Sequence, residues 1–239
     1  MVQPGGQLPW VLLDLDGTLL DYDRAEEEAV RRTLAGVGLP ADADMVARYR
    51  RINARHWSAL ERGVTTAARL RTERWAELLD ATVPDQDRDV GPEVLASSYV
   101  EHLAAGAYLL PGAEAAVAEL AGAFRIAYIT NGLADVQRPR LAASALADLG
   151  EVLVISDEVG AAKPAAAIFE AALRAMGGPH PRVVTMVGDS LSADIAGGRA
   201  AGMPTVWVAS KEQPWPTDPA RRPDHRIGAI GELPALLRG

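Results

Sequence analysis

The stretch WVLLDLDGTLLD, residues 10–21, sets a strand-like apolar run directly against two aspartates separated by one leucine, and Gly17 and Thr18 follow at once. Residues two apart on a strand project to the same side, so Asp14 and Asp16 can face one cleft where the strand ends, and Gly17 lets the backbone turn sharply there. Other apolar runs also stop at chemistry-bearing residues. IAYITNG ends on Thr130 and Asn131, EVGAAKP brings Lys163 after a further run, and VGDSLSAD repeats the aspartate device with Asp189 and Asp194. Carboxylates gathered in one place repel: two bare charges about 4 Å apart interact by roughly 4 kcal/mol at an effective dielectric near 20. Something positive must share the site. A hard divalent cation suits an all-oxygen donor set, and Mg²⁺ takes only one or two carboxylates, leaving room for a substrate phosphate. With Lys163 as a compact cation and Thr130 and Asn131 as neutral donors, the set describes a site for a phosphoryl group with an aspartate placed to attack it.

These residues meet only if their strands lie side by side. Short runs rich in Val, Ile and Leu occupy residues 10–15, 124–130, 152–156, 183–187, 205–208 and, more weakly, 225–230. Each suits a parallel strand buried on both faces. From Leu110 onward they alternate with helical stretches such as 113–121, 165–176 and 193–201, the pattern of right-handed strand-helix-strand units in a doubly wound sheet. Such sheets bind ligands outside the carboxyl ends of their strands, where the polar residues above fall. Between the first two strands the pattern changes: residues 24–35, 42–61, 66–81 and 92–104 read as consecutive helices with no strand between them. An excursion of roughly 85 residues is far longer than an ordinary connection and should fold by itself. The expectation is an α/β protein: a Rossmann-like, doubly wound parallel-sheet core from residues 1–20 and 109–239, with an inserted all-helical cap domain over residues 21–108.

Composition narrows the partners. The chain has 239 residues, 49% of them hydrophobic, a formal net charge of −8 and no cysteine, so disulfides, thiolate metal sites and cysteine nucleophiles are excluded. No basic stripe exists to neutralise a phosphate backbone, which argues against a nucleic acid polymer. No apolar stretch approaches the roughly 20 residues of a membrane span, and MVQPGGQLPW lacks the basic-then-apolar pattern of a secretory signal, so no membrane partner and a cytoplasmic location are expected. His56, His102, His180 and His225 show no metal-ligand spacing.

Taken in order, DLDGTL, ITNG, EVGAAKP and GDSLSAD resemble the motifs of the haloacid dehalogenase superfamily, and the helical insertion resembles that superfamily's C1-type cap. ITNGLADVQRPRL, VISDEVGAAKPAAAIFEAAL, VGDSLSADIAGGRAAGMPTVWV and RPDHRIGAIGELPALL further resemble its house-cleaning pyrimidine 5'-nucleotidase branch. The resemblance implies a Mg²⁺-dependent phosphatase acting on a small phosphorylated metabolite, with Asp14 as the nucleophile forming an aspartyl phosphate and Asp16 as the acid and base. It implies further that the Asp14 carboxylate, the Asp16 main-chain carbonyl and Asp189 hold the metal, with Asp194 in an outer or shared position. Thr130 and Asn131 would grip phosphate oxygens, Lys163 would balance the charge of nucleophile and phosphate, and Thr18 would orient Asp16.

In the cap, Asn53 and Trp57 lie four apart and share a helical face, an amide and an aromatic suited to reading and stacking a base, although a cap-core aromatic is the commoner use. A pyrimidine nucleoside 5'-monophosphate is the leading substrate class. Sugar phosphates, phosphoglycolate and acylneuraminate 9-phosphate stay open, as do haloacid dehalogenation, phosphomutase activity and a phospho-accepting signalling domain. Asp16 argues against dehalogenation, because a departing halide needs no proton. The sequence leaves monomer and homodimer equally open.

Overall fold

The structure is a computed structural model that describes residues 8–84 and 89–239. Residues 1–7, where most of the opening stretch inspected for a leader falls, lie outside the described residues. Strands β1 (Trp10–Leu13), β2 (Arg125–Thr130), β3 (Val152–Ile155), β4 (Val184–Gly188), β5 (Thr205–Val208) and β6 (His225–Ile227) form one sheet in the order β3-β2-β1-β4-β5-β6. Every pairing is parallel. β1 is central, with Leu12 level with both Ala127 of β2 and Met186 of β4.

Alternate residues of β1 enter different cores, which is why the run is apolar throughout. Val11 and Leu13 pack with Ala116, Val117 and Leu120, whereas Trp10 and Leu12 pack with Ile168, Phe169 and Ala172. The first group of partners comes from a helix at Ala113–Ala121 and the second from a helix at Ala166–Ala175. The sheet is thereby covered on both faces, as the alternation of strands and helices predicts.

The first strand stops two residues short of the expected end. From Leu15 the backbone doubles back: Leu19 N–H and Leu20 N–H both donate to the Leu15 carbonyl at 2.8 Å, and Gly17 N–H donates to Leu20 O at 2.9 Å. Gly17 turns in the left-handed region at φ +85°, which disfavours any side chain. The two ends of the helical excursion leave side by side, because Leu20 bridges Leu109 and Leu110 N–H donates to Leu19 O at 2.8 Å.

The chain divides into two compact units, Met1–Tyr22 with Ala107–Gly239, and Asp23–Gly106. The second contains only helices among its described residues: α1 (Tyr22–Gly36, entered at Asp23), α2 (Ala43–Glu61), α3 (Ala67–Thr82) and α4 (Pro92–Ala104). Asp42 and Thr66 cap α2 and α3, accepting from Met45 N–H and Arg69 N–H. Tyr49, Trp75 and Tyr99 pack against one another, tilted or edge-on, with centroids 4.6 to 5.5 Å apart and the buried Arg74 guanidinium 4.7 Å from the Tyr99 ring. No helix of the described residues is long and apolar enough to cross a membrane.

This interior corrects the expectation for Asn53. The residue faces inward, its Nδ2 donating to Glu26 Oε1 at 2.8 Å and its Oδ1 accepting from Arg74 Nη1 at 2.9 Å. Both ends of the amide are engaged between a buried carboxylate and a buried guanidinium, so it links charges and does not read a base. Helical periodicity placed it correctly with Trp57 on one side of α2, where Trp57 is half-buried one turn on. Asn53→Leu keeps the volume and strips both partners, so it is expected to lower stability by about 2–3 kcal/mol in urea titration. An unchanged midpoint would show that the linkage carries no weight.

Candidate active site

The sheet unit also contains helix α5 (Ala113–Ala121), α6 (Ala134–Ala142), the single turn α7 (Ser156–Val159), α8 (Ala166–Ala175) and α9 (Ala196–Ala200), the last preceded by a π-helical turn at Leu191–Ile195. The loops after β1, β2 and β4 and the loop after α7 converge on one lysine. Lys163 is buried, and its Nζ donates to Asp14 Oδ1 at 2.5 Å, to Asp194 Oδ1 at 2.7 Å and to Ile129 O at 3.2 Å. Asn131 fixes its main chain from the end of β2: the amide Oδ1 accepts from Lys163 N–H at 2.7 Å, and Nδ2 donates to Lys163 O at 3.0 Å.

The three aspartates around this lysine are each tied to a strand end. Asp14 continues the β1 ladder, its N–H donating to Val187 O at 2.9 Å, and its Oδ2 accepts from the Thr18 hydroxyl at 3.1 Å. Asp194 lies in the π-helical turn, buried, with Oδ2 accepting from Ser190 N–H at 2.9 Å. Asp189 follows β4, and its carbonyl accepts from the Trp207 indole N–H of β5 at 2.8 Å. Asp14, Asp189 and Asp194 each offer an oxygen within 4.8 Å of the others. Two glycines make room for this. A Cβ on Gly17 would stand 2.5 Å from Asp189 Oδ2, and one on Gly188 would overlap the Asp194 carboxyl.

Charge in this cluster is out of balance, with one ammonium against three carboxylates. Burial pushes the Asp14 carboxyl well above the usual range, Lys163 pulls it back, and Asp194 and Asp189 add to the rise. For Lys163, burial opposes the charge, but Asp14 and Asp194 outweigh it and hold the ammonium above its ordinary value. Asp189 is the most exposed of the trio, yet desolvation of its carboxyl and the Asp194 charge push it up to about 6. These are the marks of a site short of positive charge, and its donors are all hard oxygens. The residues therefore fit a divalent cation of the Mg²⁺ type, with Asp189 the member that solvent ions reach.

A second network begins two residues after Asp14. Asp16 Oδ1 accepts from Arg140 Nη1 at 2.6 Å, and Asp16 Oδ2 accepts from Gln137 Nε2 at 2.7 Å. Gln137 Nε2 also donates to the Thr130 hydroxyl oxygen at 2.6 Å, and its Oε1 accepts from Arg140 Nη1 at 2.9 Å. Gln137 and Arg140 are both buried, on the inner side of α6.

The geometry revises one expected role and adds to another. Thr18 bonds Asp14 and not Asp16, because the tight turn over residues 15–20 folds its hydroxyl back to the strand end. The Asn131 side chain bonds the Lys163 main chain through both its oxygen and one N–H, so it also positions the lysine. Asp14, Lys163, Asp189 and Asp194 come together, and Thr130 joins Asp16 through Gln137. Sequence reasoning missed Gln137, Arg140 and the Trp207 bond to Asp189. The first two lie on a helix that contains Pro139, a residue that argues against a helix in sequence, and show as polar residues where an apolar face is sought. Trp207 is buried in β5, and its indole N–H also fixes the Asp189 main chain.

Comparison with known proteins agrees with this architecture. Residues 9–202 match the family model for haloacid dehalogenase-like hydrolases. The chain is 32% identical to pyrimidine 5'-nucleotidase YjjG of Escherichia coli (strain K12) over 95% of this chain and 97% of that one. It is 31% identical to pyrimidine 5'-nucleotidase PynA of Streptococcus pneumoniae (strain ATCC BAA-255 / R6) over 83% and 82%. The magnesium-bound crystal structure of YfnB from Bacillus subtilis superposes with a TM-score of 0.85 at 28% identity, covering 98% of this chain and 100% of that chain. Matched along most of its length by sequence and by fold, the chain belongs to the haloacid dehalogenase-like hydrolase family.

Proposed function

We propose that the chain is a Mg²⁺-dependent phosphatase that hydrolyses a small phosphomonoester through a phosphoaspartate on Asp14, with a pyrimidine nucleoside 5'-monophosphate as substrate. The observation that carries the reading is Asp14 itself: a strand-end carboxylate held by a buried lysine, beside Asp189 and Asp194, with a second carboxylate two residues on in separate surroundings. The nucleotide substrate takes its support from the two pyrimidine 5'-nucleotidases to which the chain is similar.

Asp14 attacks phosphorus in line, so that an Asp14 oxygen-phosphorus bond forms as the bond to the leaving oxygen breaks. Lys163 and Thr18 each hold one Asp14 oxygen, which fixes the carboxylate's direction and leaves lone pairs for the attack. Asp16 gives its proton to the departing oxygen. It then accepts a proton from the water that attacks phosphorus, the Asp14 oxygen-phosphorus bond breaks, and phosphate is released. Thr130, whose oxygen already accepts from Gln137, has its O–H to donate to a phosphoryl oxygen. The Asp14 and Asp189 carboxylates and the Asp16 main-chain carbonyl would hold Mg²⁺, with Asp194 behind them on Lys163. When bound, the ion supplies the positive charge that phosphoryl oxygens and carboxylates together demand.

Free-phosphate release is the direct measure. Asp14→Asn is expected to abolish turnover, and Asp16→Asn to reduce it by about 10²- to 10⁴-fold while labelled phosphate accumulates on the protein. Unimpaired release by the first variant would end the proposal. A panel of UMP, dUMP and dTMP against phosphoglycolate and sugar phosphates tests the substrate, with the highest kcat/KM expected among the pyrimidine nucleotides; a clear preference elsewhere would remove that assignment.

Asp189 supplies a test of the metal. Its folded value of about 6 lies above its ordinary 3.8, so without a cation the folded chain binds this proton more tightly than the unfolded chain does. The stability from this group is therefore fully present below about pH 4 and is lost as pH rises through about 6. A divalent cation opposes that loss by favouring the ionised form. Adding Mg²⁺ should thus raise Tm more at about pH 7.5 than at about pH 5, and this pH dependence should shrink in Asp189→Asn. Equal Mg²⁺ shifts at both pH values would count against Asp189 as a ligand.

A further inference from the structure

Gln137 and Arg140 have no part in the chemistry above, yet they are buried against it. Gln137 is 2% exposed and Arg140 0%. The inner side of a helix packed on a sheet is ordinarily filled by apolar residues, and an ion pair buried there gives no stability advantage over a well-packed apolar pair. Their arrangement is also fully determined. A guanidinium only donates, so Gln137 must turn its carbonyl to Arg140, which leaves its NH₂ for Asp16. Its two amide protons then go to two different acceptors, Asp16 Oδ2 at 2.7 Å and Thr130 Oγ1 at 2.6 Å. Arg140 closes the ring by donating to both Gln137 Oε1 and Asp16 Oδ1, and its guanidinium lies 5.8 Å from the Tyr22 ring centroid.

We propose that Gln137 and Arg140 are positioning residues for proton transfer: they fix both oxygens of Asp16 and, through the one Gln137 amide, hold it in register with the Thr130 hydroxyl. The proposal rests on the phosphatase reading, in which Asp16 serves the leaving group and Thr130 the phosphoryl group. Asp16 has a half-exposed loop position beside Gly17, where an unrestrained carboxylate would sample several rotamers. The α6 pair reduces these to one. Because the same amide reaches Thr130, the carboxyl that gives the proton and the hydroxyl that holds the phosphoryl group are referred to a single rigid group.

Two substrates with the same phosphoryl group separate this role from a structural one. The leaving group of p-nitrophenyl phosphate departs with little need of a proton, whereas the alkoxide of UMP needs one. Arg140→Met and Gln137→Leu are expected to lower kcat/KM for UMP by about tenfold or more, to lower it far less for p-nitrophenyl phosphate, and to leave KM for UMP within about twofold. Arg140→Lys, which keeps a donor, should recover part of the loss. In Asp16→Asn the added Arg140→Met change should have little further effect, since the group it positions no longer transfers a proton. Equal losses with both substrates, or losses that multiply in the double variant, would overturn the proposal and leave α6 a packing element. If Arg140→Met does not fold, Gln137→Leu and Arg140→Lys carry the same comparison. Normal UMP turnover by Asp16→Asn would instead remove the proton-transfer role itself, and the positioning role with it, which marks the two failures apart.

Discussion

A buried ammonium between two carboxylates, as Lys163 lies between Asp14 and Asp194, constrains everything built around it. Burial alone favours a neutral lysine, and the attraction of Asp14 and Asp194 at close range reverses that preference for Lys163. The reversal holds only while the distances hold. Asn131 therefore clamps the Lys163 main chain from β2, Ser190 N–H fixes Asp194, and the β1 ladder fixes Asp14 through Val187. With Asp189 brought within reach, negative charge exceeds positive, and the same geometry that stabilises the lysine leaves an unmet demand for a further cation.

The parallel sheet is what makes such a cluster buildable. β2, β1 and β4 are neighbours, so the segments that leave their carboxyl ends start side by side although they are distant in sequence. The cost of crowding appears in the backbone. Gly17 and Gly188 occupy positions where a Cβ would meet an aspartate carboxyl, and the π-helical turn at Leu191–Ile195 swings Asp194 back toward the strand it follows. Glycines and an irregular turn fall where carboxylates converge, while the cores on either face of β1 remain ordinary apolar packing.

The sequence showed the strands and the cluster because both follow local rules. Short apolar runs end in Asp14, Thr130 and Asp189, and two-residue spacing puts Asp16 beside the first of them. What it hid depends on direction rather than spacing. Asn53 lies where the helical period puts it, but the period does not tell an inward amide from an outward one, and here it faces Glu26 and Arg74. Thr18 lies nearer to Asp16 than to Asp14 in sequence, and only the turn through Gly17 decides in favour of Asp14. Helix α6 was obscured for a compound reason: Pro139 breaks the helical signal, and the inner positions 137 and 140 are polar because they serve a carboxylate on another segment.

That last point bears on how two aspartates two residues apart acquire different tasks. Asp14 is surrounded by a lysine, a hydroxyl and other carboxylates, and burial and like charge press upon it. Asp16 is half-exposed and has each oxygen on a donor from α6, a guanidinium and an amide. The difference arises where the strand ends: Asp14 still belongs to the sheet and is held by groups from its neighbours, whereas Asp16 has entered the turn and faces the helix after β2. The turn that begins at Leu15 thus separates two chemical environments within two residues. Under the proposed mechanism, that separation lets one carboxylate carry phosphorus while the other carries a proton. A single Asp cannot do both in one step.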